Sequence, residues 1–366
     1  MKKMTKGQLV LETGEIFTGD WIGYMEEGVG ELVFNTSMTG YQEMLTDPSY
    51  AGQIVILTYP VVGNYGMNVN DSESYRLQVA GVILNDVCDE PSHYQLQSTF
   101  TEALKKHAIP GLKNVDTRAL VALIRKYGTV KGRLVLEKAF PDYKYEFTLP
   151  SVKELVQEVA VKSPIQMGEG NCHIVILDFG YKKSIVTALL ELGCRVTVVP
   201  YHYTVKAIKA LQPDGIMISN GPGNPSELQI YFPHIKAVTE AYPTLGICLG
   251  HQLVALAHGA ETEKLPFGHR GSNHPVKDLQ TGKISITAQN HGYVVKKESL
   301  SSTIFQVIFE HVHDQSVEGM KHKHLPITTV QFHPEAHPGP SDTAYILTDF
   351  VQQVIQLKEE WLCEKA

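Results

Sequence analysis

The chain has 366 residues, 43% of them hydrophobic and 19% charged, an ordinary globular balance that allows two domains, each with its own core. A formal net charge of -7 argues against nucleic acid as a ligand, and the absence of any run of 18 apolar residues argues against a membrane span. Five scattered cysteines (Cys88, Cys172, Cys194, Cys248 and Cys363) make no disulfide framework and suit reduced thiols in a cytoplasmic protein, and the basic N-terminus lacks the apolar stretch of a signal peptide.

In chain order, the first half reads as β-rich with a helical insert. Residues 8–12, 30–34, 53–58 and 79–84 are short apolar or alternating runs bounded by Gly, Asn, Asp or Pro, which predicts strands. Residues 101–107 predict a short helix. Asp116 is placed to cap a second helix, with Leu120, Leu123 and Ile124 on one face and Gly128 past its end. Residues 132–136 return to strand. Residues 151–161 suit a short helix, and 163–171 (SPIQMGEGN) carry no periodic signal and read as a loop. The domain boundary is expected there, dividing the chain into 1–165 and 172–366.

The second half alternates strand and helix: strand 173–177, amphipathic helix 182–192 stopping at Gly193, strand 195–199, helix 205–211, strand 215–219, strand 245–248 and helix 249–257. That order predicts an α/β domain with an open, mostly parallel sheet and helices on both faces. Residues 284–288, 304–309 and 328–332 add strands. A long helix at 341–361 closes the chain, with Leu347, Phe350, Val351, Val354 and Leu357 as its apolar face.

Three segments carry chemistry. In LGICLGHQL (residues 245–253), Cys248 sits where a short strand meets a helix, between Gly246 and Gly250. This is the pattern of a nucleophile elbow: small neighbours allow the turn, the helix dipole favours a thiolate, and the Leu249 N–H can reach an oxyanion. A buried packing cysteine is the plainer reading of the same residue. In VQFHPE (330–335), His333 and Glu335 are two apart and share a face of extended chain, as a base and its orienting carboxylate must; a surface histidine at a strand end fits as well. SNGPGNP (219–225) forces a tight loop whose N–H groups can complete an oxyanion hole, or it is an ordinary turn; it lacks the Lys-Ser/Thr of a phosphate loop. His311, His313, His322 and His324 alternate as His-x-His, but nothing in the spacing completes a metal site, so they read as solvated loop histidines. No metal is expected in this chain.

Together, GICLGHQ, SNGPG and HPE resemble the class I (triad) glutamine amidotransferases from about residue 172 onward. Residues 33–66 (VFNTSMTGYQEMLTDPSYAGQIVILTYPVVGNYG), VDTRAL at 115–120, FGHRGSNHPVKD at 267–278 and TAQNHGYVV at 287–295 resemble the carbamoyl phosphate synthetase small subunits. The resemblance implies Cys248 as the nucleophile that forms a glutamyl thioester, His333 as base and Glu335 as its partner. It implies Gly221 and Leu249 as the oxyanion-hole backbone. L-glutamine would be held by Ser49, Gly221, Gly223, Gln252, Asn290, Gly292 and Tyr293, with Ser49 coming from the first domain. It also implies a large-subunit partner that receives the ammonia, binds ATP and metal, and makes carbamoyl phosphate for arginine synthesis, pyrimidine synthesis or both, with no cofactor in this chain. Asn224 stands where the family usually has Asp, and the turn is expected to survive because Asn also forms Asx turns. Two alternatives remain beside this reading: another triad amidotransferase subunit, against which the first ~165 residues argue, and a non-catalytic docking subunit, which would be expected to lack the Cys or His.

Overall fold

The computed structural model describes residues 5–136 and 145–365; the first four, basic residues among them, lie outside it. The chain divides into two compact units between Ser151 and Val152.

The first unit is a closed seven-stranded barrel. Its elements are β1 (Lys6–Leu11), β2 (Ile16–Gly23), β3 (Gly28–Asn35), α1 (Tyr41–Thr46), β4 (Gln53–Val62), β5 (Gly81–Val87), α2 (Phe100–Lys106), β6 (Pro110–Lys113), α3 (Thr117–Tyr127) and β7 (Val130–Leu136). The barrel order is β1-β2-β6-β5-β4-β3-β7. Neighbours from β3 through β4 and β5 to β6 run parallel and the rest antiparallel. Local chemistry sets the helix ends. Thr99 and Glu102 form a capping box on α2. Asp116 caps α3 by accepting from the Ala119 N–H at 2.9 Å, and Gly128 ends it with φ 81°. Leu120 and Ile124 are buried as expected and Leu123 is half-buried. The pattern reading passed over β2, α1 and β6. In β2, Gly19 interrupts the alternation, and β6 spans only four residues.

The second unit holds α4 (Val152–Val159), β8 (Ile165–Met167), β9 (Cys172–Asp178), α5 (Lys183–Glu191), β10 (Cys194–Pro200), α6 (Val205–Ala210), β11 (Gly215–Ile218), α7 (Phe232–Thr239), β12 (Thr244–Ile247), α8 (Leu249–Ala257), β13 (Thr262–Asp278), β14 (Ile284–Val295), β15 (Phe305–His311), β16 (Val317–His322), β17 (Ile327–Val330) and α9 (Tyr345–Lys365). They build a ten-stranded sheet in the order β14-β13-β15-β16-β17-β12-β11-β9-β10-β8. Its centre, from β10 through β9, β11 and β12 to β17, is parallel. The wing from β17 to β14 is antiparallel. α9 buries Leu347, Phe350, Val351 and Val354 against one side.

Two expectations change. The boundary falls earlier than 165, because Val152, Val156 and Ala160 pack into the same core as Val175 and Leu177 of β9. Within 163–171, expected as loop, β8 pairs antiparallel with β10 at the sheet edge. Its three residues are too few to show a period.

Candidate active site

The parallel strands deliver the candidate residues at their carboxyl ends, where ligands of open α/β sheets bind. Lys182 follows β9, Ser219–Gly223 follow β11, Cys248 follows β12 and His333 follows β17. β12 and β17 are adjacent and parallel, and the Cys248 N–H donates to the Val330 carbonyl at 2.8 Å. The candidate nucleophile and base are therefore carried by neighbouring strands.

Cys248 has φ 54° and ψ -105°, a backbone that side chains other than glycine rarely adopt. Its neighbours permit it. A Cβ on Gly250 would lie 2.1 Å from the Ile218 carbonyl oxygen, and one on Gly246 would lie 2.9 Å from the Gly250 oxygen. The first intrahelical bond of α8 is Gln252 N–H to the Cys248 carbonyl, so the Leu249 N–H is left for an oxyanion. Gly221 approaches the Phe179 carbonyl so closely that a Cβ would sit 2.4 Å from its oxygen. Asn224 caps the next turn by accepting from the Ser226 N–H at 3.1 Å, so the departure from Asp leaves the turn intact.

His333 and Glu335 are 3% and 7% exposed. The imidazole Nδ1 donates to Glu335 Oε1 at 2.6 Å. Its Nε2 carries no hydrogen bond of ordinary geometry, and the Cys248 thiol is among the groups acting on the ring. Burial works against charge on His333, but Glu335 and Cys248 outweigh it and raise the imidazole to about 10. Burial likewise works against charge on Glu335, and Lys182 with His333 holds it down to about 2. The Cys248 Sγ lies 3.7 Å from the Asn290 carbonyl oxygen.

Lys182 was not singled out from the sequence. Its Nζ donates to Glu335 Oε1 at 2.9 Å and to the Ala336 carbonyl at 2.7 Å, with its side chain 3% exposed. A lysine at the start of an amphipathic helix gives no sign in sequence that it points inward. Gln252 Nε2 donates to the Tyr293 carbonyl at 2.7 Å and to Gln331 Oε1 at 2.9 Å. Both its amide hydrogens are committed, which leaves its oxygen as the group for a ligand. Gly223 has φ 91° and packs on Val152. Asn290, Gly292 and Tyr293 lie together on β14. Ser49 is buried in a short turn of the first unit, its N–H donating to Asp47 at 2.9 Å. The solvated reading fails for two of the four alternating histidines. His311 and His322 lie in β15 and β16 and are 3% and 9% exposed, because strand alternation turns them inward, while His313 and His324 are exposed.

The family model for glutamine amidotransferase class-I matches residues 175–353, and that for carbamoyl-phosphate synthase small chain, CPSase domain, matches residues 9–134. The carbamoyl phosphate synthase arginine-specific small chain of Bacillus subtilis (strain 168) is 48% identical over 97% of this chain and 99% of its own length. The chain belongs to the carbamoyl phosphate synthase small-chain family. The carbamoyl phosphate synthase small chain of Listeria monocytogenes serotype 4b (strain F2365) is 49% identical over 96% of this chain and 97% of its own length. The arginine-specific small chain of Geobacillus stearothermophilus is 49% identical over 96% and 98%.

Two outcomes follow from the buried charges of this small chain. Lys182→Met leaves Glu335 buried without its ammonium and lowers unfolding free energy by about 3–5 kcal/mol in urea titrations. Adding Glu335→Gln to Lys182→Met recovers part of that loss; an unchanged midpoint for the single variant would refute the pairing. The His333 proton is held more tightly in the folded state than at its ordinary value of 6.5. The stabilisation it brings is therefore complete below about pH 6.5 and is lost as pH rises toward about 10. Urea midpoints across that range fall more steeply for the native chain than for His333→Asn, and equal slopes would contradict the shift.

Proposed function

We infer that this chain is the glutamine-hydrolysing small subunit of a carbamoyl phosphate synthase, with Cys248, His333 and Glu335 as its catalytic residues. The observation that carries the residue assignment is the strained elbow at Cys248 beside a buried imidazole–carboxylate pair. The Cys248 sulfur gives its proton to His333 and attacks the side-chain amide carbon of L-glutamine. The Gly221 and Leu249 N–H groups receive the oxyanion, each worth about 3 kcal/mol in comparable acyl transfers. His333 returns the proton to the departing nitrogen and ammonia leaves a glutamyl thioester. Water, deprotonated by the same imidazole, then releases glutamate. A ring raised to about 10 suits the step that donates a proton. Gln252 offers its amide oxygen to the substrate, and Asn290, Gly292 and Tyr293 line the same pocket. Ammonia passes to the large subunit, which binds ATP and its metal and consumes bicarbonate.

Two substitutions test this. With the large subunit present, Cys248→Ser lowers glutamine-dependent carbamoyl phosphate synthesis by more than about 1000-fold while synthesis from added ammonia continues. Retention of glutamine use would remove Cys248 from the role. His333→Asn abolishes turnover, whereas Glu335→Gln keeps a measurable fraction, because the carboxylate orients the ring and the ring moves the proton. Small and equal effects would leave a non-catalytic docking subunit as the better reading.

A further inference from the structure

On the antiparallel wing, His269 of β13, His291 of β14 and Glu318 of β16 turn inward and are 7%, 5% and 0% exposed. One donor atom from each lies within 4.8 Å of the other two. Two of these donors, His269 Nδ1 and Glu318 Oε1, make no hydrogen bond among the described residues. They stand 3.6 Å apart, beyond hydrogen-bond distance. His291 Nε2 is 4.0 Å from the same Glu318 oxygen.

His291 Nδ1 lies 2.9 Å from the Tyr293 carbonyl oxygen, which can only accept, so Nδ1 carries the ring's hydrogen. With a single ring hydrogen on Nδ1, Nε2 of the neutral ring is a bare lone pair. Yet Nε2 is 2.6 Å from Gln289 Oε1, another electron-pair donor. Turning the amide over does not help, because Gln289 Nε2 donates to Glu318 Oε2 at 2.8 Å. His269 Nε2 donates to Asp314 Oδ2 at 2.8 Å, a carboxylate that His269 and His311 hold below its usual range despite burial. Burial works against charge on His269, but Asp314 and Glu318 outweigh it and raise the imidazole to about 9. A cation is therefore held between these electron-pair donors, either a proton on His269 Nδ1 or a metal ion that displaces it.

We propose that His269 Nδ1, His291 Nε2 and Glu318 Oε1 form a divalent transition-metal site of the zinc class. Two imidazoles and a carboxylate are a set that zinc and its neighbours take. The surroundings match those of ligating histidines: each ring donates its other N–H, to Asp314 or to the Tyr293 carbonyl, and the second Glu318 oxygen is held by Gln289. Gln289 Oε1 or a water supplies the fourth ligand. Metal–ligand distances of about 2.0–2.2 Å require the donors to close by a few tenths of an ångström. A second group, His269 with His274 and His311, shares one ring with this site. It lacks a carboxylate, and its His274 and His311 nitrogens already meet at 3.2 Å, so the inner group is the better binder.

The site bears on glutamine binding through β14. The Tyr293 carbonyl accepts from both His291 and Gln252, and the Asn290 carbonyl faces the Cys248 sulfur. A metal here pins that stretch of strand without touching the reacting atoms.

The test uses the purified full chain, stripped with a chelator and titrated with Co²⁺ and then Zn²⁺ in mildly alkaline buffer. The expected result is a Co²⁺ ligand-field spectrum saturating at one equivalent, displaced by Zn²⁺, with a rise in Tm. Glu318→Gln lowers Zn²⁺ affinity by more than about 100-fold, and His274→Ala leaves it within about tenfold. Absence of a Co²⁺ spectrum in the native chain overturns the proposal and makes the cation a proton on His269. Loss of binding in His274→Ala with retention in Glu318→Gln also overturns it, in favour of the outer group. These readouts need no glutamine hydrolysis, so their failure leaves the glutaminase assignment standing.

Discussion

A buried lysine and glutamate meet beside the candidate catalytic histidine, and the geometry of the second unit's site follows from their contact. Lys182 and Glu335 meet at 2.9 Å with side chains 3% and 1% exposed. Either charge alone at that depth would cost several kcal/mol, so each is tolerable only because the other is present. Lys182 comes from the start of α5, after β9, and Glu335 from the segment after β17, so the pair joins two ends of the parallel sheet. Glu335 Oε1 accepts from both Lys182 and His333. The imidazole therefore cannot swing away from Cys248 without breaking a bond to an atom that is itself fixed. Orientation of the His333 ring is a property of two strand ends rather than of one loop.

The elbow adds a second constraint. Positive φ at Cys248 is strained for a residue with a side chain, and it persists because close packing determines it from both directions. Gly250 lets α8 press against the Ile218 carbonyl, and Gly246 lets the strand pass under the Gly250 backbone. The hydrogen bond from Cys248 to Val330 ties the elbow to β17, three residues before His333. The distance between Cys248 and His333 is thus set by ladder register, which is stiff, and in the proposed role small errors there are costly because near-attack geometry is steep in distance.

Much of this was legible because it rests on local rules. Gly-x-Cys-x-Gly between an apolar run and a helix specifies an elbow, and His-x-Glu at a strand end puts both side chains on one face. Asp116 and Gly128 marked α3 because caps are chemistry within a few residues. What was not legible depends on contacts between distant segments. Lys182 looks like any lysine at a helix start, and only the fold reveals Glu335, 153 residues away, beneath it. His311 and His322 read as solvated because each is the last residue of its strand, beside an exposed His313 or His324, and the wing around them is assembled from distant segments. β8 has three residues and the 152–159 helix carries no mark of which unit it joins; burial of Val152 and Val156 decides it.

β14 connects these two kinds of information. Side chains alternate across a strand, so Gln289, His291 and Tyr293 fall on one side and Asn290 and Gly292 on the other. The stretch that carries the expected glutamine ligands therefore also carries His291 and Gln289, whose partners on β13 and β16 are carboxylates and imidazoles. The β13–β14 register shifts between Lys264 and His269 and again between Gly271 and His274. Those irregularities set which β13 side chains meet β14, and they bring His269 within 5.0 Å, ring centre to ring centre, of His291. An apolar pair at these positions would pack a sheet wing at less electrostatic cost. These buried polar groups are held by hydrogen bonds to one another, and a metal ion at the proposed site would add to that order. Because the Tyr293 carbonyl is shared between His291 and Gln252, the wing and the candidate glutamine site meet at a single backbone oxygen.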